Sequence, residues 1–278
     1  MKNLCKLTGG QTNRLCRLAI IAFTALIGFS LVACGDGAGG ANLGGVVSKP
    51  PASPGPDGVW VDGDGNLRIN SVPVYIMDNS TPPKVVLSDI GFNRLTKVSS
   101  WVGMTEVDWA STGGGVVNGF LNSITIYPPP PAALTTPTNW DEMQIPASFI
   151  VSGATTRAAY FHIRLAEDVE PPNYNRFLEL MYAPYVVKET SSEGYDYYRA
   201  YGQKNYWYFY SEGEIVISGS GTYDMDGMTI SGAVDIKFTT GWNVLCITQE
   251  GSGKNWSYNM VSESPTGNVQ WVQPEPNW

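Results

Sequence analysis

Asp226-Gly227 stands between two alternating runs: Ile215-Val216-Ile217-Ser218 and Thr222-Tyr223 precede it, Met228-Thr229-Ile230 and Val234-Asp235-Ile236-Lys237-Phe238 follow it. An Asp-Gly pair in that setting supplies the positive φ of a two-residue hairpin loop, so the flanking runs are bound to pair antiparallel. Trp242-Asn243-Val244-Leu245-Cys246-Ile247 extends the meander. The same grammar recurs at the start of the folded part, where Val59-Trp60-Val61 and Leu67-Arg68-Ile69 flank the Gly-bearing turn Asp62-Gly63-Asp64-Gly65-Asn66. Between them, short strands are expected at 74–77, 84–87, 95–101, 106–109 and 123–127. Pro82-Pro83, Gly91 and Gly113-Gly114-Gly115 end these strands by removing a donor or allowing positive φ. Helical periodicity is scarce; Arg176 to Met181 fits either a short helix or a strand. The expected fold is all-β, an antiparallel β-sandwich-like domain of one or two units.

Proline sets the expected organisation. Residues 128–146 carry Pro128 to Pro131, Pro137 and Pro146, so they serve neither as a central strand nor as a helix. They either link an N-terminal β subdomain, 57–127, to a C-terminal one, 147–250, or form a long loop across one sandwich. Residues 251–278 read as a polar tail, and 34–56, nearly all Gly, Ala, Ser and Pro, as a spacer.

Ahead of the spacer, Lys2, Lys6, Arg14 and Arg17 precede an uncharged run from Leu18 to Ala33. A basic flank followed by an apolar run shorter than the about 20 residues of a membrane span is the layout of a cleaved export signal. The run ends in Leu31-Val32-Ala33-Cys34, which resembles the lipobox of bacterial lipoproteins. The resemblance implies cleavage between Ala33 and Cys34, a diacylglyceryl group on Cys34, and residence in the lipid bilayer through several acyl chains. Each buried methylene would contribute about 0.8 kcal/mol to that anchor. In such lipoproteins an Asp directly after the Cys favours the inner membrane; here Gly35 follows and Asp36 comes one later, which favours the outer membrane or cell surface. Residues 206–248 also resemble the C-terminal part of uncharacterised β-rich bacterial surface lipoproteins, which implies a sandwich-like ectodomain.

With 1–33 removed, 13 of the 17 Lys and Arg face 25 Asp and Glu, a formal charge of −12. Nucleic acid and anionic headgroups would repel such a surface, so no nucleic-acid partner is expected. Cys5 and Cys16 leave with the signal and Cys34 takes the lipid, so Cys246 has no partner for an intramolecular disulfide. Its apolar setting predicts a buried, inert thiol. The single histidine, His162, and the lack of a Cys cluster leave no zinc or copper site, and no cofactor motif is present.

Nine of the sixteen residues from Tyr195 to Tyr210 are aromatic. With a strand's period of two, Tyr206, Tyr208 and Tyr210 share one face and Trp207 and Phe209 the other. The three tyrosines are the candidate ligand-binding residues: either a stacking platform for a glycan or protein, or a face covered by a loop. Asp62, Asp64 and Asn66 open like a calcium loop, but Leu67 and Pro73 stand where that motif needs Gly and Glu, so a hairpin turn is expected. Asp224 and Asp226 receive the same reading. Glu212 and Glu214 are the carboxylates a glycoside hydrolase would need, and His162 lacks a nucleophile elbow for a triad, so no catalytic residues are assigned. The expectation is a non-enzymatic, membrane-anchored surface lipoprotein that binds a glycan or protein. The alternatives are a structural envelope component without a small ligand and, more remotely, a glycoside hydrolase.

Overall fold

The structure is a computed structural model that describes residues 49–274, apart from 79, 81, 88–95, 103–104, 138–148, 166–176, 191–195, 226–227 and 253–254. The lipobox and the Asp226-Gly227 turn itself lie outside the described residues. The fold is all-β, with one 3₁₀ turn at Pro131–Ala133 and no α-helix among the described residues. No described helix is long and apolar enough to cross a membrane.

Two sheets face each other. The smaller, here called the outer sheet, has four antiparallel strands in the order Val59–Val61, Leu67–Ile69, Ile124–Ile126 and Ser111–Gly113. The main sheet has sixteen strands. Its centre is Lys204–Ser211, the tyrosine strand, paired along its whole length with Gly241–Ser252. On its other edge it meets Phe177–Tyr182 and Ala158–Tyr160. The segment that fitted either a helix or a strand is therefore a strand, inserted where its backbone groups find ladder partners on both sides. The predicted hairpin is present as Ile215–Met225 and Met228–Phe238, in register from Ile215 opposite Phe238 to Met225 opposite Met228. A separate pair, Tyr185–Thr190 with Asp196–Tyr201, forms the third sheet.

Two cores result. The first lies between the sheets. Val59, Leu67, Ile69, Ile124 and Ile126 come from the outer sheet, and Tyr206, Tyr208, Trp242, Val244 and Trp271 from the main one. In the second, the long hairpin curls over the opposite face of the tyrosine strand: Phe209 and Phe238 stand 4.9 Å apart between ring centroids, although their strands are not neighbours in the ladder. Gly232 leaves room for the ring of Tyr258, its partner on the neighbouring strand Asn255–Val261, because a Cβ there would stand 2.1 Å from Cζ of Tyr258.

The structure corrects two readings of organisation and decides a third that the sequence left open. The described part of 251–278 is not a loose tail: Asn255–Val261 and Val269–Val272 are strands of the main sheet, and they add parallel pairings to an otherwise antiparallel ladder. The spacer does not extend to Pro56. Pro50 is buried, the Pro51 carbonyl accepts from Val61 N at 2.9 Å, and Lys49 Nζ reaches the Thr240 carbonyl at 3.4 Å. Nor do 57–127 and 147–250 keep separate cores, since the first core draws on both. Between them, Ala133 and Leu134 of the Pro-rich segment are buried in that same core, and Thr135 bridges Ala158, so the described part of 128–146 runs along the sandwich.

Candidate functional site

The tyrosines do not form a surface platform. Tyr206 and Tyr208 are each 3% exposed, and Tyr210 is partly buried against the first core. The physical reason is the outer sheet, whose apolar face covers this face of the tyrosine strand. Burial pushes the Tyr206 hydroxyl up to about 12 and holds that of Tyr208 far above its ordinary value, with the Asp57 charge adding to the latter. The Tyr208 hydroxyl donates to the buried Asp57 carboxylate, and Tyr210 stands edge-on to Trp242 at 5.3 Å. On the reverse face Trp207 stacks on Tyr160 at 5.1 Å. Five aromatics in a row, Tyr206 to Tyr210, thus mark a central strand buried on both faces. The missed signal was that both alternating faces are apolar.

The other candidates resolve one by one. Asp62 closes the hairpin turn: Oδ1 accepts from the amides of Asp64 at 3.0 Å and Asn66 at 2.9 Å, and Oδ2 from Arg68 Nε at 2.6 Å. The Asn66 amide above all, helped by Arg68, pulls this carboxyl down to about 2. Both oxygens being used in the turn, the calcium-loop spacing has a local explanation. Asp226 and the side chain of Asp224 lie outside the described residues. Glu212 and Glu214 sit in the turn after the tyrosine strand, and Glu212 holds Arg157 through both oxygens, at 2.8 and 2.9 Å. His162 pairs with Ser99 in its ladder, and its ring packs between Tyr160 at 4.9 Å and Phe177 at 4.6 Å. Cys246 is fully buried, and burial raises its thiol to about 11, so it carries no thiolate at neutral pH. Among the described residues no group of three or more His, Cys, Asp or Glu is placed to hold a metal ion.

What the structure brings together instead is the solvent face of the outer sheet. Val59, Leu67, Ile69, Ile124 and Ile126 point inward, and the strand period sets Trp60, Arg68, Thr125 and Thr112 on the other face, where Thr125 is nonetheless buried and takes a hydrogen bond from Arg68. The register aligns Trp60 opposite Arg68, Arg68 opposite Thr125, and Thr125 opposite Thr112, one row across all four strands. That row, with Asp62, Ser123 and Gly113 beside it, lines a recess of about 430 Å³. Trp60 is half-buried and presents the rest of its surface to the recess; Thr112 is exposed. Arg68 is fixed at both ends of its fork, donating through Nε to Asp62 and through a terminal nitrogen to the Thr125 hydroxyl.

The turn beside the recess is held from below. The Trp242 indole N–H donates to the Gly65 carbonyl at 3.0 Å, so the tyrosine core and the Asp62 turn are one packed unit. A large amphipathic ring, a fixed guanidinium with unused donors and an exposed hydroxyl along one row are the ingredients of a recognition surface. In the sequence Trp60 and Arg68 are legible only as hairpin residues, and Asp62 as a turn or calcium-loop acid. Thr112 and Thr125 lie over forty residues further along, and only the strand order juxtaposes them. Comparison with protein-family models, with curated proteins and with solved structures finds no match.

Proposed function

We propose that this protein is a bacterial surface lipoprotein, anchored through acylated Cys34, whose β-sandwich serves as a binding module with the outer-sheet recess as its ligand site. The observation that carries the binding role is the Trp60-Arg68-Thr125-Thr112 row. The molecule buries its tyrosine strand and Trp109, Trp242 and Trp271 in its cores, yet keeps Trp60 beside a fixed ion pair on an open face. The anchor is supported by the basic flank, apolar run and Leu31-Val32-Ala33-Cys34, and residues 35–48 supply a Gly-rich tether.

Two variants test the halves separately. Cys34→Ala removes the acyl acceptor, so the protein should lose incorporation of labelled fatty acid and leave the membrane fraction. Trp60→Ala should leave membrane attachment intact and abolish retention of cell-surface ligands. Retention unchanged in Trp60→Ala would remove the recess from the proposal and shift weight to a structural envelope role.

A further inference from the structure

Resting on the reading of the recess as the ligand site, the geometry points to a class of ligand: we infer that it takes a neutral saccharide, whose hydroxyls accept from the N–H groups of Arg68 that Asp62 and Thr125 leave unused while Trp60 covers the apolar face of a pyranose ring.

Charge decides against the ionic alternatives. Arg68 is the sole cation lining the recess and Asp62 the sole anion, and they are paired at 2.6 Å. With its carboxyl held down to about 2, Asp62 stays ionised at any ordinary pH. An anionic ligand would meet that carboxylate beside a guanidinium already compensated, and a cationic ligand would meet the reverse. The formal charge of −12 on the chain after residue 33 repels polyanions at longer range as well. A neutral polyol avoids both penalties.

Donor and acceptor inventory favours the same class. A guanidinium carries five N–H donors, of which Asp62 and Thr125 take two. An ionised carboxylate offers about four acceptor directions, and the amides of Asp64 and Asn66, Asn66 Nδ2 and Arg68 Nε fill those of Asp62. The polar groups left for a ligand are thus the unused N–H donors of Arg68, which a sugar hydroxyl accepts from without net charge. The exposed hydroxyl of Thr112 continues the row. Three strand spacings separate Trp60 from Thr112, about 14 Å, which suits a short oligosaccharide laid across the strands. Trp60 adds a large flat contact with little side-chain entropy to lose.

The test is calorimetric titration of the full chain in detergent with neutral oligosaccharides of glucose, galactose, mannose and N-acetylglucosamine, beside oligogalacturonate and a heparin oligosaccharide. The expected result is saturable binding of a neutral oligosaccharide whose Kd moves less than about twofold between 50 and 500 mM salt, because no net charge is neutralised. Trp60→Ala, which removes the ring contact, and Asp62→Asn, which releases Arg68 from its fixed position, should each weaken it at least about tenfold. Thr112→Lys, at an exposed position away from the core, should block the recess while leaving the thermal midpoint unchanged, which separates lost binding from lost fold. Salt-sensitive binding of an acidic oligosaccharide, abolished by Thr112→Lys, would overturn the neutral-ligand inference and leave the recess as the site. Neutral binding indifferent to all three variants would overturn both. No binding by any saccharide would overturn the inference here.

Discussion

Two aspartates show how one residue type is driven in opposite directions within a few positions. Asp57 is 3% exposed; burial raises its carboxyl above the usual range against the lowering effect of the Tyr208 hydroxyl and the Val59 amide. Asp62, wrapped by the amides of a solvent-facing turn, is pulled down to about 2. The consequences for stability have opposite sign. The folded state holds the Asp57 proton more tightly than the unfolded chain, so its contribution is complete below the ordinary carboxyl value of 3.8 and is lost as pH rises through the folded value. The contribution of Asp62 is complete above 3.8 and is lost as pH falls toward about 2. Asp57→Asn keeps an acceptor for Val59 N and removes the buried charge. Thermal midpoints measured from pH 4 to 8 should therefore show the variant gaining on the parent as pH rises. A parallel pair of curves would show that Asp57 carries no pH-linked cost. Gly113, at φ 77° with a Cβ position 2.2 Å from the Ser123 carbonyl, ends the strand that bounds the recess. Gly113→Ala should cost about 2 kcal/mol or more in urea unfolding, from the left-handed backbone and the contact together.

At the scale of elements, the tyrosine strand is the hinge of the architecture. Its length was readable from Tyr206 to Tyr210, and so was its period of two. Its solvent exposure was not, because aromatic side chains on both faces suit either a covered strand or a one-sided platform. The hydroxyls of Tyr206 and Tyr208 suggested a wet face, whereas Asp57, brought from about 150 residues away, meets the Tyr208 hydroxyl inside the core. Phe209, fully buried against Phe238, is the test of the second core. Phe209→Ala should destabilise by about 3–5 kcal/mol, read from the shift in denaturant midpoint at constant slope. The same loss would come with an intact first core, so the near-ultraviolet signal of Trp242 and Trp271 should persist below the transition. The Asp226-Gly227 hairpin was legible because its signal is local, and its strands pair from Ile215–Met225 across to Met228–Phe238 as that signal requires.

At the scale of the molecule, the last strand closes the sandwich. Val269–Val272 lies between Phe177–Tyr182 and Val72–Met77, joining the two halves of the chain in one sheet, and the Trp271 indole N–H donates to the Asp57 carbonyl at 3.0 Å. A chain ending at Ser262 removes that strand and leaves edges unpaired on both sides. It should lose the cooperative thermal transition and become sensitive to protease throughout. Likewise 57–127 expressed alone should remain unfolded, because its apolar faces are completed by Tyr208, Trp242 and Trp271. A sharp transition in either fragment would show that the chain holds two independent units.

What the sequence by itself determined are the features written in neighbouring residues: the all-β class, the two hairpins, the buried thiol of Cys246 and the expectation of a lipobox at Cys34. Turn chemistry, strand period and an apolar setting act over a few residues and are visible there. Only the tertiary structure decided which faces meet water. The residue pattern of 206–210 is the same whether or not four short strands from 59–126 lie across it. The recess exists because strand order sets Trp60 and Arg68 beside Thr125 and Thr112, an order chosen by where their apolar reverse faces find a core to join.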